Sequence, residues 1–183
     1  MIPTHAKKVF SGILFDVYQW EQELYDGSTA TFERAVRQGN AKILPVMNGR
    51  VLLCEQSQPD SDEVYQSLPG GRIEQGEEPL ETAQRELLEE TGLTSNDWEE
   101  FLKSPNFGHL QMDRRIFIAR DCQKKDEAST DPGERIACKE ISFEAFVALG
   151  KDPSFYDDLL KIKLLEASYD EGAREVLKQK LGL

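Results

Sequence analysis

Residues 71–93 read Gly71-Arg72-Ile73-Glu74-Gln75-Gly76-Glu77-Glu78-Pro79-Leu80-Glu81-Thr82-Ala83-Gln84-Arg85-Glu86-Leu87-Leu88-Glu89-Glu90-Thr91-Gly92-Leu93, and no other stretch limits the possible folds as tightly. Pro79 suits the first turn of a helix, where its missing N–H costs nothing, and Gly92 suits the left-handed residue that ends one. The pattern predicts a helix over about 79–91. On it Glu86, Glu89 and Glu90 stand at i, i+3 and i+4 and project from one face. Like charges so placed repel by a few tenths of a kcal/mol per pair in an isolated helix, roughly 0.2–0.5. The arrangement makes physical sense if hard cations with a preference for oxygen, such as Mg²⁺ or Mn²⁺, sit among the carboxylates. Leu80, Ala83 and Leu87 recur at helical spacing beside the acidic face and are expected to pack on a sheet. Upstream, Leu68-Pro69-Gly70-Gly71 lets the backbone approach closely whatever the carboxylates hold, because glycine lacks the Cβ that would block it.

The same residues carry a family resemblance. A glycine, a glutamate six residues on, and then Arg-Glu-apolar-any-Glu-Glu-any-Gly-apolar is similar to the signature box of the Nudix hydrolases, and Gly71, Glu77, Arg85, Glu86, Leu87, Glu89, Glu90, Gly92 and Leu93 fill it. A solvated acidic helix has no need of these glycines and this arginine at fixed spacing. The resemblance implies an α/β/α sandwich with a mixed sheet. It implies metal ligation by Glu86, Glu89, Glu90 and the Gly70 carbonyl, with Mg²⁺ as cofactor and Mn²⁺ as a possible substitute. Arg85 is expected to orient the box through ion pairs with glutamates, Glu77 among them, while Gly71 and Gly92 shape its ends.

Composition narrows the function classes. At 183 residues the chain fits one domain with a sizeable core. A net charge of −12 argues against a polynucleotide groove, which needs a basic face. It also hinders a phosphorylated small molecule unless bound cations invert the local potential. No apolar run is long enough to span a membrane or serve as a secretory leader, so a soluble chain is expected. Cys54, Cys122 and Cys138 are odd in number and scattered, which fits a reducing cytoplasm.

Along the chain, residues 8–20 partly alternate, Asp26-Gly27 signals a turn, and 29–37 returns, which predicts an N-terminal β-hairpin. Residues 41–46 and 51–55 flank Asn48-Gly49, a strong hairpin signal, and are expected to be central strands. Residues 56–67 read as a loop. Ser95-Asn96-Asp97 reads as the cap of a short helical turn holding Trp98 and Phe101. A strand over 115–120, a charged loop over 123–133 and a strand over 135–141 follow. Ser142 is a candidate N-cap for a helix over 143–149, and two more helices are expected at 159–167 and 171–181. The domain division is residues 1–40 as a hairpin and dimerisation element and 41–183 as the Nudix domain.

Outside the box, the hairpin, Phe32-Glu33-Arg34, the strand at 41–46 and Gly133-Glu134-Arg135-Ile136 resemble ADP-ribose and nucleoside-diphosphate-sugar pyrophosphatases. The chain departs from that group in having Gln56-Ser57-Gln58 and Ser67-Leu68-Pro69-Gly70-Gly71 at two of its motifs. The expected reaction is Mg²⁺-dependent hydrolysis of a nucleoside diphosphate sugar to a nucleoside monophosphate and a sugar phosphate. The resemblance makes Glu89 and Glu90 catalytic through the metal and Glu134 the candidate general base, with Glu127 and Asp131 behind it. Arg72, Arg34 and Arg37 are candidate substrate ligands. Related enzymes swap the hairpin between subunits, so a homodimer is expected. Two alternatives stand: a hydrolase of dinucleoside polyphosphates or other nucleotides, and an inactive Nudix module that senses a nucleotide sugar.

Overall fold

The computed structural model describes residues 2–59, 63–129, 133 and 135–183. Its N-terminal part is a three-stranded antiparallel meander, β1 (Lys7–Ser11), β2 (Phe15–Glu23) and β3 (Thr29–Arg37). Here the expected hairpin gains a strand. A second hairpin, β4 (Asn40–Met47) and β5 (Arg50–Ser57), turns at Asn48 and Gly49, both with positive φ, as two-residue hairpins require.

The segment read as a loop after β5 contains a short strand, β6 (Tyr65–Ser67), which pairs with β5. Next come β7 (Gly70–Arg72), which pairs with β4, helix α1 (Pro79–Thr91) and the two-residue β8 (Leu93–Thr94). Then β9 (Asp97–Phe107) and β10 (Leu110–Arg120) form a long antiparallel pair, and β11 (Gln123–Lys124) pairs with β8. The chain closes with β12 (Arg135–Ile141), α2 (Phe143–Ala148), a 3₁₀ turn at Leu149–Lys151, α3 (Asp158–Tyr169) and α4 (Glu171–Leu181). Ser142 caps α2 by accepting a hydrogen bond from the Ala145 N–H.

β10 is the keystone of the mixed sheet, whose main path runs β1-β2-β3-β10-β4-β5-β12. Leu110 and Gln111 pair in parallel with β3, and Arg114 to Ala119 pair in parallel with β4. Alternation along the strands then sorts side chains onto two faces. Ala41, Ile43, Phe117 and Ala119 pack with Ala83 and Leu87 of α1, while Leu44, Val46, Ile116 and Ile118 pack with Phe146, Leu160 and Leu164 of the C-terminal helices. This is the α/β/α sandwich. Leu80 belongs to neither core; it is exposed at the start of α1, so the apolar stripe is carried by Ala83 and Leu87.

Two expectations are corrected. Residues 97–107 are a strand, not a helical turn. The register slips between the Ile116–Leu102 and Phe117–Glu100 pairs, leaving Phe101 as the extra residue of a bulge. The slip puts the adjacent Phe101 and Leu102 together on the C-terminal-helix core while Trp98 joins the α1 core, which breaks the period-two alternation that would mark a strand. Among the described residues β9 pairs only with β10 and is an edge strand, the place in a sheet where a proline in the sequence is tolerated.

The second correction concerns the cysteines. Cys54 on β5 and Cys138 on β12 lie opposite each other in the ladder and form a disulfide, leaving Cys122 free and buried. A bridged pair removes the ground for reading a reducing compartment from cysteine number. Among the described residues no helix is long and apolar enough to cross a membrane.

The bridge links residues 84 apart in sequence, and closing so long a loop in the unfolded chain is worth on the order of 4 kcal/mol in the chain-entropy account. Thiol reduction and Cys138→Ser are each expected to lower the melting temperature, with no further loss when they are combined; calorimetry with and without reductant checks this.

Candidate active site

The site is built where β7 delivers the chain to α1. Gly70 pairs with Lys42 of β4, has φ +146, and a Cβ there would stand 2.3 Å from the Ala41 carbonyl oxygen. Only glycine fits so close a strand crossing. Its N–H donates to Glu90 Oε2 at 2.8 Å, which fastens the loop to a carboxylate buried on the helix. Gly71 leaves room for a second carboxylate: a Cβ there would lie 2.0 Å from Glu86 Oε1.

Arg85 ties the acidic face together. Its Nε and Nη2 reach the two carboxylate oxygens of Glu77 at 3.0 and 3.2 Å, and its Nη1 donates to Glu86 at 2.7 Å and Glu89 at 2.9 Å. Glu77 also accepts from the Thr82 hydroxyl at 2.7 Å and the Glu74 N–H at 3.2 Å. The Arg85 guanidinium, foremost, holds the Glu77 carboxyl at about 2, well below its ordinary 4.5. In return Glu77 raises the pKa of Arg85, outweighing the opposing effect of burial.

Glu86, Glu89, Glu90, Gly70 and Gly71 line one polar cavity of about 370 Å³, together with Arg72 and Arg37. Among the described residues no three acidic, histidine or cysteine side chains converge closely enough to enclose an ion, because Glu86 and Glu89 turn towards Arg85 and Glu90 towards Gly70. The donor set nevertheless suits a hard divalent cation: every candidate ligand is an oxygen, the carboxylates share one cavity, and the glycine cradle leaves no Cβ in the way.

The other candidates divide. Arg37 lines the cavity, whereas Arg34, on the opposite face of β3, is not in the lining and stands across from Tyr18; among the described residues the buried Nε of each has no hydrogen-bond partner. Arg72 is exposed at the rim. Glu127 is almost fully exposed and pairs with Lys124 at 3.6 Å, outside the cavity lining. Glu134 and Asp131 lie outside the described residues. The segment before them is fixed to the helix, since the N–H of Ser129, a lining residue, donates to the Glu89 carbonyl at 2.7 Å. Sequence reasoning missed Lys42, Tyr65 and Tyr156, which also line the cavity; a lysine within a strand and two scattered tyrosines carry no local signal.

The NUDIX domain family model matches residues 36–161, more than half of the chain and the whole of the site described above. The chain belongs to the Nudix family. It is 29% identical over 156 residues to the ADP-ribose pyrophosphatase of Bacillus subtilis (strain 168), covering 82% of this chain and 83% of the relative. It is 27% identical over 157 residues to the methanol dehydrogenase activator of Bacillus methanolicus, covering 83% and 84%. The structure solved as an ADP compounds hydrolase superposes with a TM-score of 0.73 at 21% identity, over 91% of this chain and 94% of that one, a likeness of fold. The protein is thus a Nudix hydrolase.

Because the folded pKa of Glu77 lies below its unfolded value, the stability it contributes is fully present above about pH 4.5 and is lost as pH falls towards 2. Glu77→Gln is expected to melt below the native chain at pH 7, with the gap narrowing below pH 4.5; melting curves across that range test it.

Proposed function

We propose that the protein hydrolyses the diphosphate bond of a nucleoside diphosphate sugar, ADP-ribose or a nucleoside diphosphate hexose, to a nucleoside monophosphate and a sugar phosphate, with Mg²⁺ as cofactor and Mn²⁺ able to replace it. The observation that carries the reading is the single cavity in which Glu86, Glu89, Glu90 and the Gly70 backbone meet beside Arg37 and Arg72. The ADP-ribose pyrophosphatase relative, aligned over most of both chains, supports the substrate class. Glu86, Glu89, Glu90 and the Gly70 carbonyl would hold the cation, which supplies charge neutralisation for the diphosphate and acidifies the attacking water.

The chain's own groups do the rest. Arg37 and Arg72 face the same cavity as the carboxylates and would draw the diphosphate oxygens into it. Arg85 keeps Glu86 and Glu89 side by side, the two carboxylates that with Glu90 would hold the cation. Glu134, carried by the segment that follows Ser129, is assigned the removal of the proton from the attacking water.

Glu89→Gln or Glu90→Gln is expected to cut kcat by orders of magnitude while circular dichroism keeps the native spectrum, and EDTA to abolish phosphate-ester release until Mg²⁺ is restored. Glu134→Gln is expected to lower kcat by roughly 10²–10⁴-fold with KM little changed. Full turnover in EDTA defeats the metal reading; an unimpaired Glu134→Gln returns the base to another group.

Residues 1–40 are assigned a dimerisation role. The meander exposes Val9, Phe10, Ile13, Leu14 and Phe32, a group of apolar side chains that a free ribbon does not cover. A closed twofold pairing would bury this surface on both copies. Sedimentation is expected to show a dimer at micromolar concentration and a monomer for Ile13→Asp; a monomeric native chain overturns the assignment.

A further inference from the structure

The carboxylate cavity does not end at β4. Arg37, Asn40, Lys42, Met112 and Tyr156 line both it and an adjoining lobe of about 710 Å³ between β10 and the start of α3, on the opposite side of the sheet from α1. The lobes differ in chemistry. The first is lined by carboxylates, glycine backbone and the cations Arg72 and Arg85, whereas the second has an apolar floor of Leu110, Ile116, Pro153, Phe155 and Leu159 edged by Arg114, Arg115, Asp158 and Lys161. Its volume is within the range of about 300–1,000 Å³ usual for small-molecule sites.

Two residues mark the junction. Lys42 sits beside Gly70 in the β4–β7 ladder, and its ammonium meets Asp157 at 3.2 Å. Asp157 is itself fixed, being buried and accepting the Leu160 N–H as the cap of α3, so the cation is held at the passage between the lobes. Tyr156 is the neighbouring residue. The residue is 71% exposed, its ring lies 5.3 Å from that of Tyr65, and its N–H donates to the Gln66 carbonyl at 2.7 Å. Gln66 in turn donates its N–H to the Ser154 carbonyl at 2.9 Å. Both ends of the segment before α3 are therefore fastened to β6, the strand that leads into the glycine loop. An open aromatic face on so fixed a backbone is preorganised for a planar partner.

We propose that the nucleoside half of the substrate occupies this second lobe, with its base against Tyr156 and the phosphate next to it answered by Lys42. The inference rests on the diphosphate-hydrolase reading and adds the direction in which the substrate lies. A base offers flat apolar faces to the floor and to the tyrosine ring, which a sugar edged with hydroxyls on every side cannot match, and the charged edge of the lobe is left for the base's polar rim and its ribose. The diphosphate then spans the passage from Lys42 to the carboxylates, and the sugar phosphate leaves from the polar side.

The test uses the full chain and separates base from sugar. Titration calorimetry with AMP, GMP, UMP and ribose 5-phosphate reads the lobe directly, and steady-state kinetics compares ADP-ribose with a ribose diphosphate ester that lacks a base. Tyr156→Ala is expected to weaken binding of the preferred nucleotide and to raise KM for the base-bearing substrate by about tenfold, with kcat kept and the base-free ester unaffected. Tyr156→Phe, which keeps the ring, is expected to behave as the native chain, and Lys42→Gln to raise KM for both substrates. The inference is overturned if no nucleotide binds more tightly than ribose 5-phosphate, or if Tyr156→Ala, melting like the native chain, shifts both substrates equally or neither. Failure of the native chain to cleave any diphosphate would instead sink the hydrolysis of nucleoside diphosphate sugars, while the titrations still decide what the lobe holds.

Discussion

A single guanidinium makes the acidic face of α1 possible. Glu77, Glu86 and Glu89 all end on Arg85, whose charge offsets the mutual repulsion of carboxylates one helical turn apart. The bonds are not equivalent. Glu77 takes the planar fork at two points and is further held by Thr82, while Glu86 and Glu89 share one nitrogen and are the less firmly held pair. The arrangement thus holds two carboxylates side by side at the cavity through a single nitrogen.

The sheet converts this local device into a site. β7 rides on β4 only because Gly70 lets two backbones touch, and Glu90 reaches back to the same glycine from the helix. Loop, strand and helix therefore meet at one residue, and displacement of any one of them is transmitted to the other two. The two core clusters fix the helices on either face, so the cleft opens where the layers part, at the ends of β4 and β10.

How much of this was legible in the sequence depends on how local the cause was. The box helix was legible because its proline, its terminal glycine and its charge spacing act within a few turns of one another; the observed helix spans Pro79–Thr91. The Asn48-Gly49 hairpin was legible for the same reason. The strand at residues 97–107 was misread because a bulge at Phe101 shifts the alternation by one residue, putting Phe101 and Leu102 on the same core and erasing the period of two. The Cys54–Cys138 bridge, and the gathering of Lys42, Tyr65 and Tyr156 round one cleft, depend on ladders between distant segments that no spacing in the chain announces.

β10 has a consequence for how the protein comes into being. It lies between β3 and β4, strands that precede it by some seventy residues, and pairs with both in parallel. Until residues 110–120 have left the ribosome, neither the N-terminal meander nor the first central hairpin has its neighbour, and both wait with open edges and bare apolar faces. The fold is closed from the middle by a late arrival, which makes the nascent chain, more than the finished one, the state in which this protein is most exposed to wrong partners.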